Sequence, residues 1–75
     1  MQSDVARASL VDLLVNGDDT PKNIAERIDR HRKSVSDKLE DLESEGYVEN
    51  KGGGVRKLTV DGVRMAQAIR REGVS

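Results

Sequence analysis

The residues best suited to recognition chemistry form a short basic segment at positions 30–38, with the sequence RHRKSVSDK. Its cations and hydroxyls can all donate hydrogen bonds to phosphate oxygens or to base edges; they are Arg30, Arg32, Lys33, Ser34, Ser36 and Lys38. Arginine can bind guanine through two parallel hydrogen bonds, and the carboxylate of Asp37 can accept one from a cytosine amine. The segment therefore has the chemistry of a surface that binds phosphates and bases.

Basic and acidic residues alternate in blocks along the chain. The net charge is +3 over residues 21–38, −5 over residues 39–50 and +3 over residues 51–58. Charge blocks of this kind are more often solvated faces than binding sites. The whole chain has 13 basic and 14 acidic residues and a net charge of −1, so composition alone does not favour nucleic-acid binding.

Length and composition limit the classes of protein to consider. A chain of 75 residues predicts one domain with a small core. It has no cysteine and one histidine, His31, which we expect to be a cap or surface residue, so no disulfide, metal site or cofactor is expected. Without a paired nucleophile and base, and without room for a small-molecule pocket, we expect neither enzymatic activity nor an internal effector site. The absence of a signal sequence and of an apolar run of roughly 20 residues predicts a soluble, cytoplasmic protein outside the membrane.

The spacing of apolar residues predicts four helices and a hairpin. Pro21 is typical of a first helical position, and Val35, Leu39 and Leu42 repeat at the helical period. The glycines Gly52–Gly54 separate two short strand-like segments. The expected bounds are 3–15 for helix one, 21–28 for helix two, 32–45 for helix three, 47–59 for the hairpin and 60–71 for helix four.

This order of elements resembles a winged helix-turn-helix domain. The stretch IAERIDRHRKSVSDKLEDLESEGYV is similar to the DNA-binding core of MarR-like and ArsR-like regulators, with an Ile-Ala pair opening helix two and a Val-Ser pair in helix three. LTVDGVRMA resembles the Leu-Thr-x-x-Gly-x-x-x-Ala segment that follows the wing in such proteins. In size the chain is similar to small archaeal repressors, including the haloarchaeal phage repressor type. The resemblance covers residues 20–68 and implies a mainly α fold with a small β-hairpin, the wing, in which helix three is the recognition helix.

The chain departs from the family pattern around the turn before the recognition helix. Asp29 stands where a glycine or another small residue is usual, and His31 stands where a serine or threonine usually caps the helix, so we expect an altered turn. Asp37 occupies a position that is often basic or polar. Gly52–Gly54 predict a wing tip that is mobile without DNA.

The resemblance implies a division of labour among the candidate contacts. Only the first turns of a recognition helix enter the major groove, which accounts for the cations there and the acids behind them. The expected base readers are Arg32, Ser36 and Asp37. Arg30 is expected to face both bases and phosphates. The expected phosphate contacts are Lys22, at the start of helix two, and Lys33, Ser34 and Lys38. The expected wing contacts in the minor groove are Lys51, Arg56 and Lys57.

The implied function is sequence-specific binding of double-stranded DNA by a transcriptional regulator, with repression by a homodimer on an inverted repeat as the expected mode. We expect dimerisation through helices one and four, because helix one has a wide apolar arc. The alternative is a winged helix that serves protein–protein contact without DNA binding. Net acidity and Asp37 favour that alternative, whereas the basic recognition turn and the basic wing favour DNA.

Overall fold

The computed structural model describes residues 4–72, and within them the predicted winged helix-turn-helix fold is confirmed. The elements are α1 (Asp4–Asn16), α2 (Pro21–Ile28), α3 (Arg32–Ser44), β1 (Val48–Gly52), β2 (Val55–Leu58) and α4 (Val60–Arg71). The predicted start of helix one at residue 3 lies outside the described residues. Between residues 4 and 72, no helix has the length and apolar content to cross a membrane, and no cluster of acidic and histidine side chains is arranged to hold a metal ion.

Two helices begin with a threonine cap. Pro21 occupies the first turn of α2, and the hydroxyl of Thr20 accepts a hydrogen bond from the backbone N–H of Asn23 at 3.4 Å. The hydroxyl of Thr59 accepts from the N–H of Gly62 at 3.0 Å and caps α4 in the same way. These caps place the start of α2 and of α4 where the sequence predicts them.

The helix ends are set by residues that leave the helical conformation. α1 extends one residue beyond the predicted end, to Asn16, and Gly17 follows with a φ of 91°. α3 ends one residue earlier than predicted, because Glu45 is its C-cap and Gly46 takes a φ of 87°. A positive φ favours glycine, so both terminations follow from residue type.

The core is aliphatic, and α1 lies at its centre in contact with α2, α3, α4 and β2. The buried apolar residues are Ala6, Leu10, Leu13, Ile24, Ala25, Val35, Leu39, Leu42, Val48, Ala66 and Ile69. Burying one large aliphatic side chain contributes roughly 1.5–3 kcal/mol before the entropy of ordering is subtracted. Val35, Leu39 and Leu42 therefore fix the inward face of α3, and its opposite face is left to solvent.

The hairpin is an antiparallel pair with an irregular tip. Val48 pairs with Leu58 and Asn50 pairs with Arg56, and the register shifts between Asn50 and Gly52. Gly52–Gly54 all have positive φ, at 110°, 62° and 82°. Residues that carry a side chain rarely adopt a positive φ, and three in succession would be strained. The turn therefore requires the glycine triplet.

The base of the wing rests against the start of α4 at Gly62. The carbonyl of Tyr47 accepts a hydrogen bond from the N–H of Thr59 at 3.0 Å, and the hydroxyl of Thr59 donates to the carbonyl of Gly46 at 2.6 Å. A Cβ atom on Gly62 would overlap the carbonyl oxygen of Tyr47 and press on the side chain of Leu58. Gly62 thus permits the close approach that fixes the wing to α4.

An ion-pair network joins α1, α2 and the segment between them. Nε of Arg27 lies 3.0 Å from Oδ1 of Asp12, Nη2 lies 2.8 Å from Oδ2 of Asp12, and Nη1 lies 2.9 Å from Oδ2 of Asp19. The Asp12 side chain is only 5% exposed. Hydrogen bonds to Asp12 and then to Asp19 raise the pKa of Arg27, which therefore stays charged at any pH the protein meets.

Asp19 extends this network to the wing. Its carbonyl accepts from the N–H of Arg56 at 2.8 Å, and its N–H donates to the carbonyl of Arg56 at 3.2 Å, so the residue before the α2 cap pairs with β2. Its carboxylate accepts from Asn23, from the N–H of Thr20 and from Arg27, in decreasing order of effect, and these bonds lower its pKa. Asp19 thus ties α2 to the wing, and Asp12 ties the same arginine to α1.

The lowered pKa of Asp19 predicts a loss of stability in acid. Because the folded state favours the ionised carboxylate, the contribution of Asp19 is present above the ordinary value of 3.8 and is lost as pH falls through the lower folded value. Asp19→Asn should flatten this acid limb of the curve of unfolding free energy against pH, measured by urea denaturation. Asp18→Asn, which removes the same charge from the preceding residue, is the control. An acid limb unchanged by Asp19→Asn contradicts the prediction.

Gly62→Ala should destabilise the fold although alanine is the better helix former. The severe overlap with the Tyr47 carbonyl forces the wing and α4 apart, at a cost near the upper end of roughly 1–3 kcal/mol, which exceeds the gain in helix propensity of about 1 kcal/mol. Urea denaturation followed by circular dichroism measures the difference. Asp61→Ala, at the exposed preceding position, should remain within about 0.5 kcal/mol of the unaltered protein. A Gly62→Ala variant as stable as this control would be inconsistent with the close approach.

Candidate nucleic-acid interface

The turn between α2 and α3 is tight because Asp29 adopts the left-handed conformation, with φ 58° and ψ 53°. Its N–H and that of Arg30 both donate to the carbonyl of Ala25. His31 occupies the N-cap position of α3 in an extended conformation, but its side chain makes no capping hydrogen bond. The departures from the family pattern thus change the side chains of the turn while the connection stays short. Aspartate is among the residues that tolerate this conformation, although glycine does so with less strain.

Four of the predicted contact residues of the helix-turn-helix line two adjoining grooves. A shallow cleft between α2, α3 and the wing tip contains Lys22, Arg32 and Ser36 together with Gly53 and Gly54. A second groove runs over the α2–α3 turn and is shared by Lys22, Arg30 and Arg32. The two grooves meet at Lys22 and Arg32. A path of basic side chains therefore leads from the helix-turn-helix to the tip of the wing.

Most of the predicted cations on this face are exposed and available. Within residues 4–72, the side chains of Lys22 and Arg32 make neither a hydrogen bond nor an ion pair. Lys33 lies 4.0 Å from Asp37 and Lys38 lies 3.9 Å from Asp41, separations at which exposed pairs contribute little. Ser34 is exposed. The contact roles predicted for these residues, and for Ser36 and Asp37, remain predictions.

The sign of charge changes halfway along α3. Arg32, Lys33 and Lys38 lie in its first half, whereas Glu40 and Glu43 lie in the second. Its first turns place Arg32 and Ser36 at the cleft, and the helix then runs back into the domain through the buried Leu39 and Leu42. The acidic half accordingly lies beyond the turns that line the cleft.

In the wing, two of the three predicted cations lie on the surface. Lys57 is exposed and pairs in register with Glu49. Nζ of Lys51 lies 2.9 Å from Oδ2 of Asp18, and both side chains are partly exposed. Asn50 supports the tip by accepting a hydrogen bond from the N–H of Gly52 at 2.8 Å. The wing can therefore present Lys51 and Lys57 to an anionic partner.

Arg56 differs from the other predicted contacts because its side chain is only 9% exposed. Nη1 donates to the carbonyl of Gly54 at 2.6 Å, and Nε lies 3.8 Å from Oε1 of Glu43 in α3. Successive side chains of a strand point to opposite faces, so Arg56 points inward where Lys57 points outward. The Arg56 side chain is therefore held within the fold in the free protein, and its predicted role as the minor-groove reader of the wing remains a prediction.

Sequence reasoning missed the residues that hold this face together. Arg27, Asp12 and Asp19 were not predicted to interact, and Glu43 was assigned only to an acidic surface. An acid at position 12, within the apolar run of α1, is the one local signal that pointed to a buried partner. The partner's identity depends on how helices cross, which local spacing does not reveal.

Comparison with solved structures shows the same fold in other proteins. It is similar to a MarR family regulator from Neisseria meningitidis, with a TM-score of 0.83 and 24% identity over 93% of this chain and 54% of that one. It is similar to MepR, a transcription regulator of the Staphylococcus aureus multidrug efflux pump MepA, with a TM-score of 0.78 and 19% identity over 95% and 57% of the two chains. For ligand-free NadR the TM-score is 0.74, with 25% identity over 93% and 53%.

This chain spans little more than half the length of each of these structures. None of the curated proteins compared with it matches significantly. Residues 6–64 match the family profile described as "Sugar-specific transcriptional regulator TrmB". The predicted resemblance to winged helix-turn-helix regulators is confirmed by the family match and by the fold. The chain belongs to the TrmB family of transcriptional regulators.

Proposed function

We propose that this domain binds double-stranded DNA sequence-specifically through the face formed by α2, α3 and the wing, and that it does so as a homodimeric repressor in the cytoplasm. The observation that carries the proposal is the cleft where Lys22 and Arg32, both without side-chain partners in the described part of the chain, meet the glycine tip of the wing. Free cations beside the N-terminus of α3, where His31 makes no capping hydrogen bond, match the demands of a phosphate backbone.

Arg32 and Ser36 are proposed to read bases. They lie one turn apart on α3 and line the same cleft, whereas Val35, between them in sequence, is fully buried. An arginine in this position can form a bidentate pair with guanine, and a serine hydroxyl can bind either a base edge or a phosphate. Asp37, 4.0 Å from Lys33, is proposed to hold that lysine or to accept from cytosine.

The surrounding cations are proposed to bind phosphates. They stand on both sides of the base readers and comprise Lys22, Arg30, Lys33, Lys38, Lys51 and Lys57, with Ser34 as a neutral donor. Contacts of this kind give orientation and affinity but carry no sequence information. Because they displace counterions, the affinity should fall steeply with salt.

A homodimer through α1 and α4 is supported by the apolar residues that these helices leave open. Val15 is 57% exposed, and Val11, Leu14 and Met65 are only partly buried although α1 and α4 contact each other. A second copy of the chain would cover them and present two recognition helices to half-sites about one helical turn apart.

The rival proposal is a winged helix that binds another protein instead of DNA. The exposed acids of α3 and the net charge of −1 favour it, because they oppose a polyanion. A regulatory role rather than catalysis is proposed in either case, and it agrees with the regulators to which the chain is similar.

Arg32→Ala is the variant that tests base reading. It should weaken binding to specific DNA by roughly 1–3 kcal/mol and relax the preference at one base pair, measured by fluorescence anisotropy with DNA from upstream of the protein's own gene against a scrambled duplex. Arg64→Ala, which removes the same charge from an exposed position on α4, should leave both affinities unchanged. An equal loss on both duplexes would reduce Arg32 to a phosphate contact. No specific binding by the unaltered protein would favour the rival proposal.

A further inference from the structure

We propose that Arg56 is a positioning residue for DNA recognition, and that Glu43 of α3 acts with it by holding its guanidinium under the wing tip. The inference rests on the proposed DNA binding and adds a role for an acid that a polyanion would be expected to repel. Its central consequence is a change in DNA affinity opposite to the one that charge repulsion would give. Removing the negative charge of Glu43 should weaken DNA binding.

Arg56 is the only buried cation in residues 4–72. A charge withdrawn from water is costly unless a partner and hydrogen bonds compensate it. Its partners are the Gly54 carbonyl at 2.6 Å and the Glu43 carboxylate at 3.8 Å, and its Nε has no hydrogen bond in the described structure. Glu43 is the one acid with which Arg56 forms an ion pair there, so the compensation of this charge depends on Glu43.

The contacts of Arg56 join three parts of the binding face. Its side chain connects Gly54 at the wing tip to Glu43 on the recognition helix. Its backbone pairs with Asp19, directly before the Thr20 cap of α2. The Arg56 side chain also lines the cleft that contains Arg32. Arg56 therefore links the wing tip to the start of α2 and to α3.

Holding the glycine tip in one conformation is expected to increase the affinity for DNA. Gly52–Gly54 can adopt many conformations, and ordering them at the moment of binding would subtract from the affinity. The hydrogen bond from Arg56 to the Gly54 carbonyl holds the tip in one conformation before DNA arrives. Preorganisation of this kind strengthens binding without any new contact to DNA.

The competing explanation is that Arg56 swings out and binds DNA itself. Glu43 would then be a competitor that retains the arginine, and Glu43→Gln would release it and tighten binding. Positioning by the pair predicts the opposite. The sign of the effect of this one neutralising substitution therefore separates the two explanations.

The first test uses the free protein and needs no DNA. In the full chain labelled with ¹⁵N, Glu43→Gln should lower the heteronuclear NOE of Gly53 and Gly54, while Glu40→Gln should not. Glu40 is exposed on the same helix and makes no ion pair in the described residues, so it is a control with matched charge. An unchanged NOE at Gly53 and Gly54 in Glu43→Gln overturns the proposal.

The second test measures affinity for upstream DNA across salt concentrations. Glu43→Gln should weaken binding about three- to tenfold relative to Glu40→Gln, the factor expected when the tip has to be ordered at binding. The slope of log affinity against log salt should stay unchanged, because no phosphate contact is lost, whereas Lys57→Ala should reduce it by about one. Binding by Glu43→Gln that equals or exceeds that of Glu40→Gln overturns the proposal.

The two tests fail separately from the proposed function. If the unaltered protein binds no DNA specifically, the proposed function is overturned, and the NOE measurement alone then decides whether Glu43 and Arg56 position the tip. A double variant adds a check in the DNA assay. In an Arg56→Met background, Glu43→Gln should have no further effect on affinity if the two residues act as a pair, and an additive loss overturns the pairing.

Discussion

The binding face depends on the ion pairs that Arg27 makes with Asp12 and Asp19. Asp12 anchors them in α1 at 2.8 Å, and Asp19 carries them to β2 through two backbone hydrogen bonds with Arg56. The buried side chains of the core are aliphatic, so the directional contacts between α2 and the wing come from these polar groups. Breaking a partly buried pair of this kind costs far more than losing an exposed one, because it leaves a charge without a partner. Replacing Arg27 would therefore loosen α2, the inter-helix segment and the wing together.

Arg56 connects this network to the recognition helix, and through it the acidic half of α3 acquires a structural task. Arg32 at the start of α3 lines the cleft, and most of the acids of α3 lie in its second half. One of those acids, Glu43, lies beside the buried guanidinium of Arg56. The basic and acidic halves of α3 thus have two different proposed partners, DNA and the wing. In the proposed arrangement, the first turns offer positive charge to DNA, and Glu43 in a later turn positions the wing through Arg56.

The sequence predicts those parts of the fold that depend on local residue type. The Thr20 cap, the Pro21 start and the period of Val35 and Leu42 are local, and the corresponding helices lie where they were expected. Burial of Arg56 could not be predicted, because the register shift between Asn50 and Gly52 determines which side chains of the wing face inward.

A one-residue change in register inverts the face of every strand residue, and a turn of three glycines leaves several registers open. The Arg27 network was likewise hidden, since it joins residues fifteen positions apart through a helix crossing. The measurement that tests the central claim most directly is amide chemical-shift mapping of the labelled chain titrated with a duplex from upstream of its own gene. Specific binding through the proposed face predicts amide shifts concentrated at residues 20, 22, 30–38 and 51–57. Shifts confined to α1 and α4, or none that survive a scrambled competitor, would contradict it.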